Sequence, residues 1–596
     1  MRKEVTALRK LMKERGIDAY LVPTTDFHGS EYVNVYFKCR EFLSGFTGSE
    51  GTLLVTEDWA GLWTDGRYFL QAELQLEGSG IELMKMGEPG VPTIAEYMEA
   101  NLPSGSVLGF DGRVVSCREG ESYAEKFKLE VNVDLAGEVW EDRPVLKPSA
   151  VYGLPLEVTG ASAESKIARV RKAMEEEGAD YHLLTRLEQI AWLYNLRGDD
   201  IKHTPVFFAY VLIGKEKEWL YVLDETLDSA LVPSTTEICP YAQVQEDLNK
   251  LAAGKILLDK QGNNYSTGVS YALMKAVPSH VEIIDKNDPC ELMAASKNEG
   301  EIRSTREAHR KDGAAMVKFL CQLKKWCQST GPVENAAGIT AAEWTEMDAV
   351  NLIGACRKEQ KGFMQLSFPT ISGYGSNGAI VHYSVTPESN QQLKKEGFLL
   401  VDSGGQYEDG TTDITRTIAL GPLTDEMKYH YTMVLKGHIA VATAKFTRET
   451  TGAQLDALAR KPLNDVGLNF NHGTGHGIGH LLCVHEGPLS VSPRGVKDTI
   501  RPGMITSNEP GLYLEGKYGI RLENEVLCVE DEDGNGGLHF EPLTWCPWER
   551  TAINKELMSP EEIQWVDEYH RQVAKQLDSY LDDETRSWLA EAAAPL

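Results

Sequence analysis

A fifteen-residue unit occurs twice in the first third of this 596-residue chain. LRKLMKERGIDAYLV at 8–22 aligns with VRKAMEEEGADYHLL at 170–184, and seven of the fifteen positions are identical. In the first copy Leu8, Leu11 and Met12 share a helical face, Gly16 stops the helix, and AYLV follows as a strand. Beyond each copy the order of elements repeats. LSGFTG at 43–48 is matched by LYNLRG at 193–198. GTLLVT and AGLWTD then correspond to FFAYVLIG and EWLYVL. A repeat of this kind constrains the fold to two related α/β domains in tandem.

The first boundary falls in RPVLKPSAVYGLPLEV, around Pro144–Pro155, which is rich in proline and lacks periodicity. A long helix is expected near residue 300, with Met316, Phe319, Leu320 and Leu323 on one face. It opens a third domain. From Gly331 the pattern changes to apolar runs punctuated by glycine, with helices at Thr424–Lys445 and Leu455–Arg460. The expected organisation is therefore α/β for 1–150 and 157–305, then an α+β domain with an antiparallel sheet over 306–596. A last helix starts after Ser559, with Glu562 at the capping-box position.

A formal charge of -29 argues against a nucleic acid or an anionic membrane as partner. No stretch reaches the ~18 apolar residues of a membrane span. The N-terminus lacks the apolar core of a signal peptide. The ten cysteines form no CxxC pair, which fits reduced thiols in the cytoplasm.

The chemistry concentrates between Leu399 and Val526. Asp402 ends the run GFLLVD, and Asp413 follows in TTDITRT. Carboxylates at the end of a buried strand need a compensating cation. HGTGHGIGH sets His472 and His476 in a glycine-rich turn, where glycine permits close approach and positive φ. Glu509 stands before Pro-Gly. Glu523 lies in GIRLENEV, where strand alternation puts Arg521, Glu523 and Glu525 on one side. Four oxygen donors and one imidazole, assembled from distant segments, suggest a two-metal hydrolytic centre. The donor set suits Mn²⁺, Co²⁺ or Zn²⁺.

Asp402, Asp413, His476, Glu509 and Glu523, in that order, resemble the ligand set of the pita-bread metallopeptidases. FTGSEGTLLVT, WTDGRYFLQAE, IAWLYNLRGDD, DSGGQYEDGTTDITRT, HGTGHGIGHLLCVHEGP and FEPLTW extend the resemblance over nearly the whole chain. They are similar to the aminopeptidase P family, the Xaa-Pro aminopeptidases, in its long three-domain cytosolic form. The resemblance implies a catalytic pita-bread domain, two divalent ions per chain, a homodimer and peptide substrates with proline second. It implies that Asp413 and Glu523 bridge, with Asp402 on one ion and His476 and Glu509 on the other. His485 and His382 would flank the scissile carbonyl, and His472 would line the proline pocket. Arg67 would reach substrate from the N-terminal domain, with a dimer partner as one route. Glu509 is also the candidate proton shuttle to the departing proline nitrogen. Glu525 departs from the apolar residue of many relatives. The rival readings are a prolidase, restricted to Xaa-Pro dipeptides, and a non-catalytic binding protein on the same fold.

Overall fold

The computed structural model describes the whole chain except residues 1, 225, 264, 498 and 533. It divides into two compact units, Met1–Leu292 and Met293–Leu596.

The first unit contains the repeat as two six-stranded sheets. Helix α1 (Lys3–Arg15) buries Val5, Leu8 and Met12 and ends at Gly16, whose φ of 67° is left-handed. Strands β1 (Ala19–Pro23), β2 (Thr52–Thr56), β3 (Ala60–Thr64), β4 (Glu82–Lys85), β5 (Val107–Gly109) and β6 (Lys128–Glu130) follow. Their spatial order is β4-β3-β2-β1-β5-β6. Helix α2 (Ala163–Glu177) ends at Gly178, with φ 68°. It leads to β7 (Tyr181–Leu184), β8 (Ala209–Gly214), β9 (Glu218–Val222), β10 (Thr236–Pro240), β11 (Gly254–Leu258) and β12 (Val281–Asp285). Their order is β10-β9-β8-β7-β11-β12. In both sheets the first strand runs antiparallel to the second and parallel to the fifth. The two sheets thus share one topology, as the repeat predicts.

The second unit opens on the thirty-residue helix α3 (Glu299–Gln328), started by a capping box between Asn298 and Glu301. Strands β13 (Ile371–Tyr374), β14 (Phe398–Ser403) and β15 (Ile414–Ala419) form an antiparallel sheet in which Asp402 pairs with Thr415. Helices α4 (Asp425–Ala442) and α5 (Gly452–Asn464) come next. The second begins before the expected Leu455 because Thr451 and Gln454 make a capping box. Then come β16 (Gly475–Gly477), β17 (Glu486–Val491), β18 (Ile505–Asn508), the hairpin β19 (Gly511–Leu514) and β20 (Tyr518–Arg521), β21 (Asn524–Glu530) and β22 (Leu538–Pro542). A five-stranded antiparallel sheet orders them β17-β16-β18-β21-β22. The expected cap at Ser559 is present, with Glu562 completing the box.

Two local expectations are corrected. His476 lies on a strand rather than in a turn, and none of Gly473, Gly475, Gly477 and Gly479 has positive φ. These glycines serve close approach instead. A Cβ on Gly475 would stand 2.0 Å from the Ser507 carbonyl, and one on Gly477 2.2 Å from that of Glu486. GIRLENEV is likewise two strands with a break at Leu522–Glu523. The break ends simple alternation, so every residue from Ile520 to Val526 is buried.

All ten cysteines are free, and only Cys327 is not fully buried. No helix among the described residues is long and apolar enough to cross a membrane.

The matched helix stops can be tested directly. A Cβ on Gly16 or Gly178 meets nothing within 4 Å, so Gly16→Ala and Gly178→Ala carry only the left-handed backbone cost. Each is expected to lower stability by about 1–2 kcal/mol, additively in the double variant, in thermal unfolding.

Candidate metal centre

Backbone geometry brings the five expected ligands together. Antiparallel pairing of β14 and β15 sets Asp402 beside the strand that Asp413 precedes. Glu523 sits in the break between β20 and β21, where its N–H donates to the Thr415 carbonyl at 3.2 Å. Glu509 follows β18, and its N–H donates to the Thr474 carbonyl at 2.8 Å. That bond ties it to the segment entering β16, which carries His476.

Candidate ligand atoms fall into overlapping groups, each within 4.8 Å. Asp402, Asp413 and Glu523 form one, and His476, Glu509 and Glu523 form another; a third joins Asp413, His476 and His485. Glu523 is common to the first two, and Asp413 belongs to groups on both sides. His476 Nδ1 lies 3.0 Å from the Gly477 carbonyl. A carbonyl only accepts, so Nδ1 carries the proton and Nε2 turns its lone pair inward. Nε2 stands 3.5 Å from Asp413 Oδ2 and 3.6 Å from Glu509 Oε1.

Asp402, Asp413, His476 and Glu523 are buried, while Glu509 keeps partial exposure. Burial, followed by repulsion from Asp402 and Glu509, holds the Asp413 carboxyl well above the usual range. Burial and then Asp413 do the same to Glu523. Burial also raises Glu509, with His476 and Arg521 opposing. Oδ1 of Asp402 and of Asp413 are buried without a hydrogen-bond partner. Orphaned carboxylate oxygens and an inward-facing imidazole nitrogen are the donors that divalent cations take. The residues present therefore fit two such ions.

Among the described residues, the one guanidinium bonded to these carboxylates belongs to Arg521. It donates from Nη2 to Asp402 Oδ2 at 2.6 Å, from Nη1 to the Tyr513 hydroxyl at 2.7 Å and from Nε to Thr415 Oγ1 at 3.3 Å. Thr415 Oγ1 in turn donates to Glu523 Oε2 at 2.6 Å. None of Arg521, Thr415 and Tyr513 was singled out for the site from sequence. Their signal is position: each lies two residues from a ligand or from the Glu-Pro-Gly turn.

The histidines are disposed around this cluster. The His485 ring packs edge-on against His476, with centroids 4.3 Å apart. His472 Nδ1 donates to the Gly473 carbonyl at 2.7 Å, and Nε2 bonds the Tyr513 hydroxyl at 2.8 Å. His472 Nδ1 is 4.0 Å from Glu509. His382 follows Val381, whose carbonyl accepts from Arg521 Nη2 at 3.4 Å. Glu525 turns elsewhere and faces His309 Nε2 at 3.0 Å. Arg67 belongs to the first unit, where it forms a two-pronged pair with Asp65, with Nη2–Oδ2 at 2.7 Å.

The family models for the creatinase/prolidase N-terminal domain match residues 5–145 and 142–301. The model for metallopeptidase family M24 matches 303–530, and that for the C-terminal region of these peptidases matches 536–596. A probable Xaa-Pro aminopeptidase P of Laccaria bicolor is 38% identical over 99% of this chain and 92% of its own length. The chain belongs to metallopeptidase family M24. The solved X-prolyl aminopeptidase of Caenorhabditis elegans, described as a cytosolic enzyme with a di-nuclear active site, is 33% identical. It superposes on this M24 chain with a TM-score of 0.93, covering 100% of this chain and 99% of that one. The Xaa-Pro dipeptidase of Bacillus anthracis is 26% identical, with TM-score 0.51, and covers 65% of this chain and 99% of its own. The M24 fold here is thus two creatinase-type α/β domains followed by a pita-bread domain.

The carboxylate cluster sets a pH dependence for the metal-free protein. Asp413, Glu509 and Glu523 all have folded-state affinities for protons above the unfolded ones. Their stabilising contribution is complete below about pH 4 and is lost as the pH rises through the raised folded values. Asp413→Asn removes one of the charges raised by burial and repulsion. In chelator at neutral pH it is expected to raise stability by about 1–3 kcal/mol, and to flatten the decline with pH, in thermal unfolding.

Proposed function

We propose that this protein is a metallo-aminopeptidase that releases the first residue from peptides with proline in second position. The observation that carries this reading is the pair of ligand groups sharing Glu523, within a chain that matches Xaa-Pro aminopeptidases over nearly its full length. In this reading Asp413 and Glu523 hold both of two divalent ions, Asp402 holds one, and His476 and Glu509 hold the other. Mn²⁺ is the proposed metal, with Zn²⁺ or Co²⁺ as alternatives. When bound, such a pair supplies an activated water and stabilises charge developing on the scissile carbonyl.

The protein's own groups do the remaining work. His485 and His382 donate to the carbonyl oxygen as it becomes anionic. The tertiary amide before proline has no N–H, so the ring is selected by shape, with His472 and its partner Tyr513 as the wall. Asp402, or the ion it would hold, takes the free amino end of the substrate. Glu509, whose carboxyl is raised by burial, takes a proton at one carboxylate oxygen and delivers it to the proline nitrogen. Arg67 is assigned to substrate contact, in a homodimer. We further propose the domain limits 1–150, 157–305 and 306–596, and a cytoplasmic location.

A prolidase uses the same ligand chemistry but cleaves only dipeptides. Its solved relative from Bacillus anthracis matches 65% of this chain, whereas the aminopeptidase structure spans all of it. The deciding experiment compares an Xaa-Pro-Xaa peptide with an Xaa-Pro dipeptide, alongside metal content. Two ions per chain are expected, with tripeptide cleavage lost in chelator and restored by Mn²⁺. Turnover of the dipeptide alone would establish the prolidase instead.

Two substitutions divide the roles. Asp413→Asn should abolish turnover and reduce bound metal while the fold persists by circular dichroism. His485→Ala should retain both ions and lose on the order of 10²-fold in kcat, as when one oxyanion donor is removed. Unchanged kinetics in that variant would place His485 outside the reaction.

A further inference from the structure

Outside the M24 centre, the described residues hold one other group of candidate ligands, and it alone includes sulfur: His182, Asp288 and Cys290. It lies in the first unit, in the second copy of the repeated sheet. His182 is on β7, with its side chain 1% exposed. Its Nδ1 is 3.1 Å from the carbonyl oxygen of Leu257, its pairing partner on β11. Since a carbonyl only accepts, Nδ1 bears a proton. Nε2 lies 3.0 Å from Asp288 Oδ1, an oxygen that also accepts from the Cys290 N–H at 2.8 Å. An imidazole nitrogen and a carboxylate so close share a positive charge, either a proton on Nε2 or a metal ion.

Cys290 is fully buried and directs its thiol at the same carboxylate, and one ligand atom from each residue lies within 4.8 Å of the other two. An imidazole fixed by a backbone carbonyl, a carboxylate and a thiol make up the three-ligand set of a tetrahedral borderline cation.

A second observation concerns the fourth position. Asp288 lines a cavity of about 20 Å³, enough for one water molecule, together with Gln189, Asp259, Ser266 and Glu291. Gln189 is 5% exposed, and its Oε1 is buried without a hydrogen-bond partner. A water in the cavity would donate to that oxygen while its own lone pair stays free for a cation. Of the three candidate ligands Asp288 lines this cavity, with Arg186 also in its wall.

We propose that His182, Asp288 and Cys290 form a separate site for Zn²⁺ or a similar borderline divalent ion, with a water from the adjoining cavity as its fourth ligand. The site is independent of the M24 ligands, which contain no sulfur. That difference gives it a spectroscopic signature.

The test uses the full-length chain, stripped of metal and saturated with Co²⁺. Thiolate bound to Co²⁺ gives a near-ultraviolet charge-transfer band that carboxylate and imidazole ligands cannot produce. The wild type should show this band. Cys290→Ser should lose it together with one equivalent of Co²⁺, with peptide hydrolysis unchanged. Cys239→Ser, at another buried thiol of the same sheet, should keep it. Absence of the band from Co²⁺-saturated wild type overturns the proposal whether or not the variants fold. Persistence of the band in Cys290→Ser overturns it as well.

Discussion

The second unit is built around a repulsion. Asp402, Asp413, Glu509 and Glu523 bring four carboxylates into a space from which water is largely removed. Bringing like charges together in a poorly solvated site is among the more costly acts a fold can perform. The described residues bond one guanidinium to the group, that of Arg521, and it reaches only Asp402 directly. Burial weakens the Arg521 charge, and Tyr513, Asp402 and Glu509 more than restore it. The site is therefore held in place by the rest of the fold against its own electrostatics, and cations relieve what the protein leaves uncompensated.

What holds it is a layer of buried polar contacts behind the ligands. Arg416, next to Thr415 on β15, donates to the Asn524 side chain at 2.8 Å, and to the carbonyls of Cys546 and Pro547 at 2.7 and 3.2 Å. Its guanidinium stacks over Trp548, 3.8 Å from the ring centre. This one side chain joins the strand after Asp413 to the residue after Glu523 and to the FEPLTWCPW segment. Asp312 of α3 similarly accepts from Arg357 at 2.7 Å and from the Tyr407 hydroxyl at 2.9 Å. It anchors the glycine-rich hairpin between Asp402 and Asp413. Paired contacts of this kind let buried charge specify a geometry rather than blur it, with Arg357 Nη1 left as a buried donor lacking a hydrogen-bond partner.

The candidate ligands that the fold brings together were legible in the sequence because each stands at a discontinuity, such as the end of an apolar run, a glycine-rich string or a Pro-Gly turn. The domain repeat was legible because Gly16 and Gly178 keep the same left-handed backbone before equivalent strands. What escaped was whatever depended on contact at a distance. Strand alternation put Glu523 and Glu525 on one face, but the break at Leu522 lets one reach Thr415 and the other His309. The glycines around His476 read as a turn with close approach and positive φ; the close approach is there, but nothing local shows that the Ser507 and Glu486 carbonyls are what press against them. Arg521 read as part of an ordinary polar strand face, since the carboxylate it bonds, Asp402, lies more than a hundred residues away.

That separation has a kinetic meaning. The candidate ligands run from residue 402 to residue 523; a local hairpin joins Asp402 to Asp413 and another joins Glu509 to Glu523, but the two pairs and His476 meet only through long-range strand pairing. A nascent or collapsing chain cannot present even three of them until the strands from Phe398 to Glu530 have paired. Closing such loops costs entropy before any contact rewards it. Cations would then enter late and act on a finished scaffold. By the logic of transition states, an interaction formed after the barrier leaves the folding rate alone and slows unfolding. The dispersed ligand set thus makes the bound ions a brake on departure from the native state rather than a guide toward it.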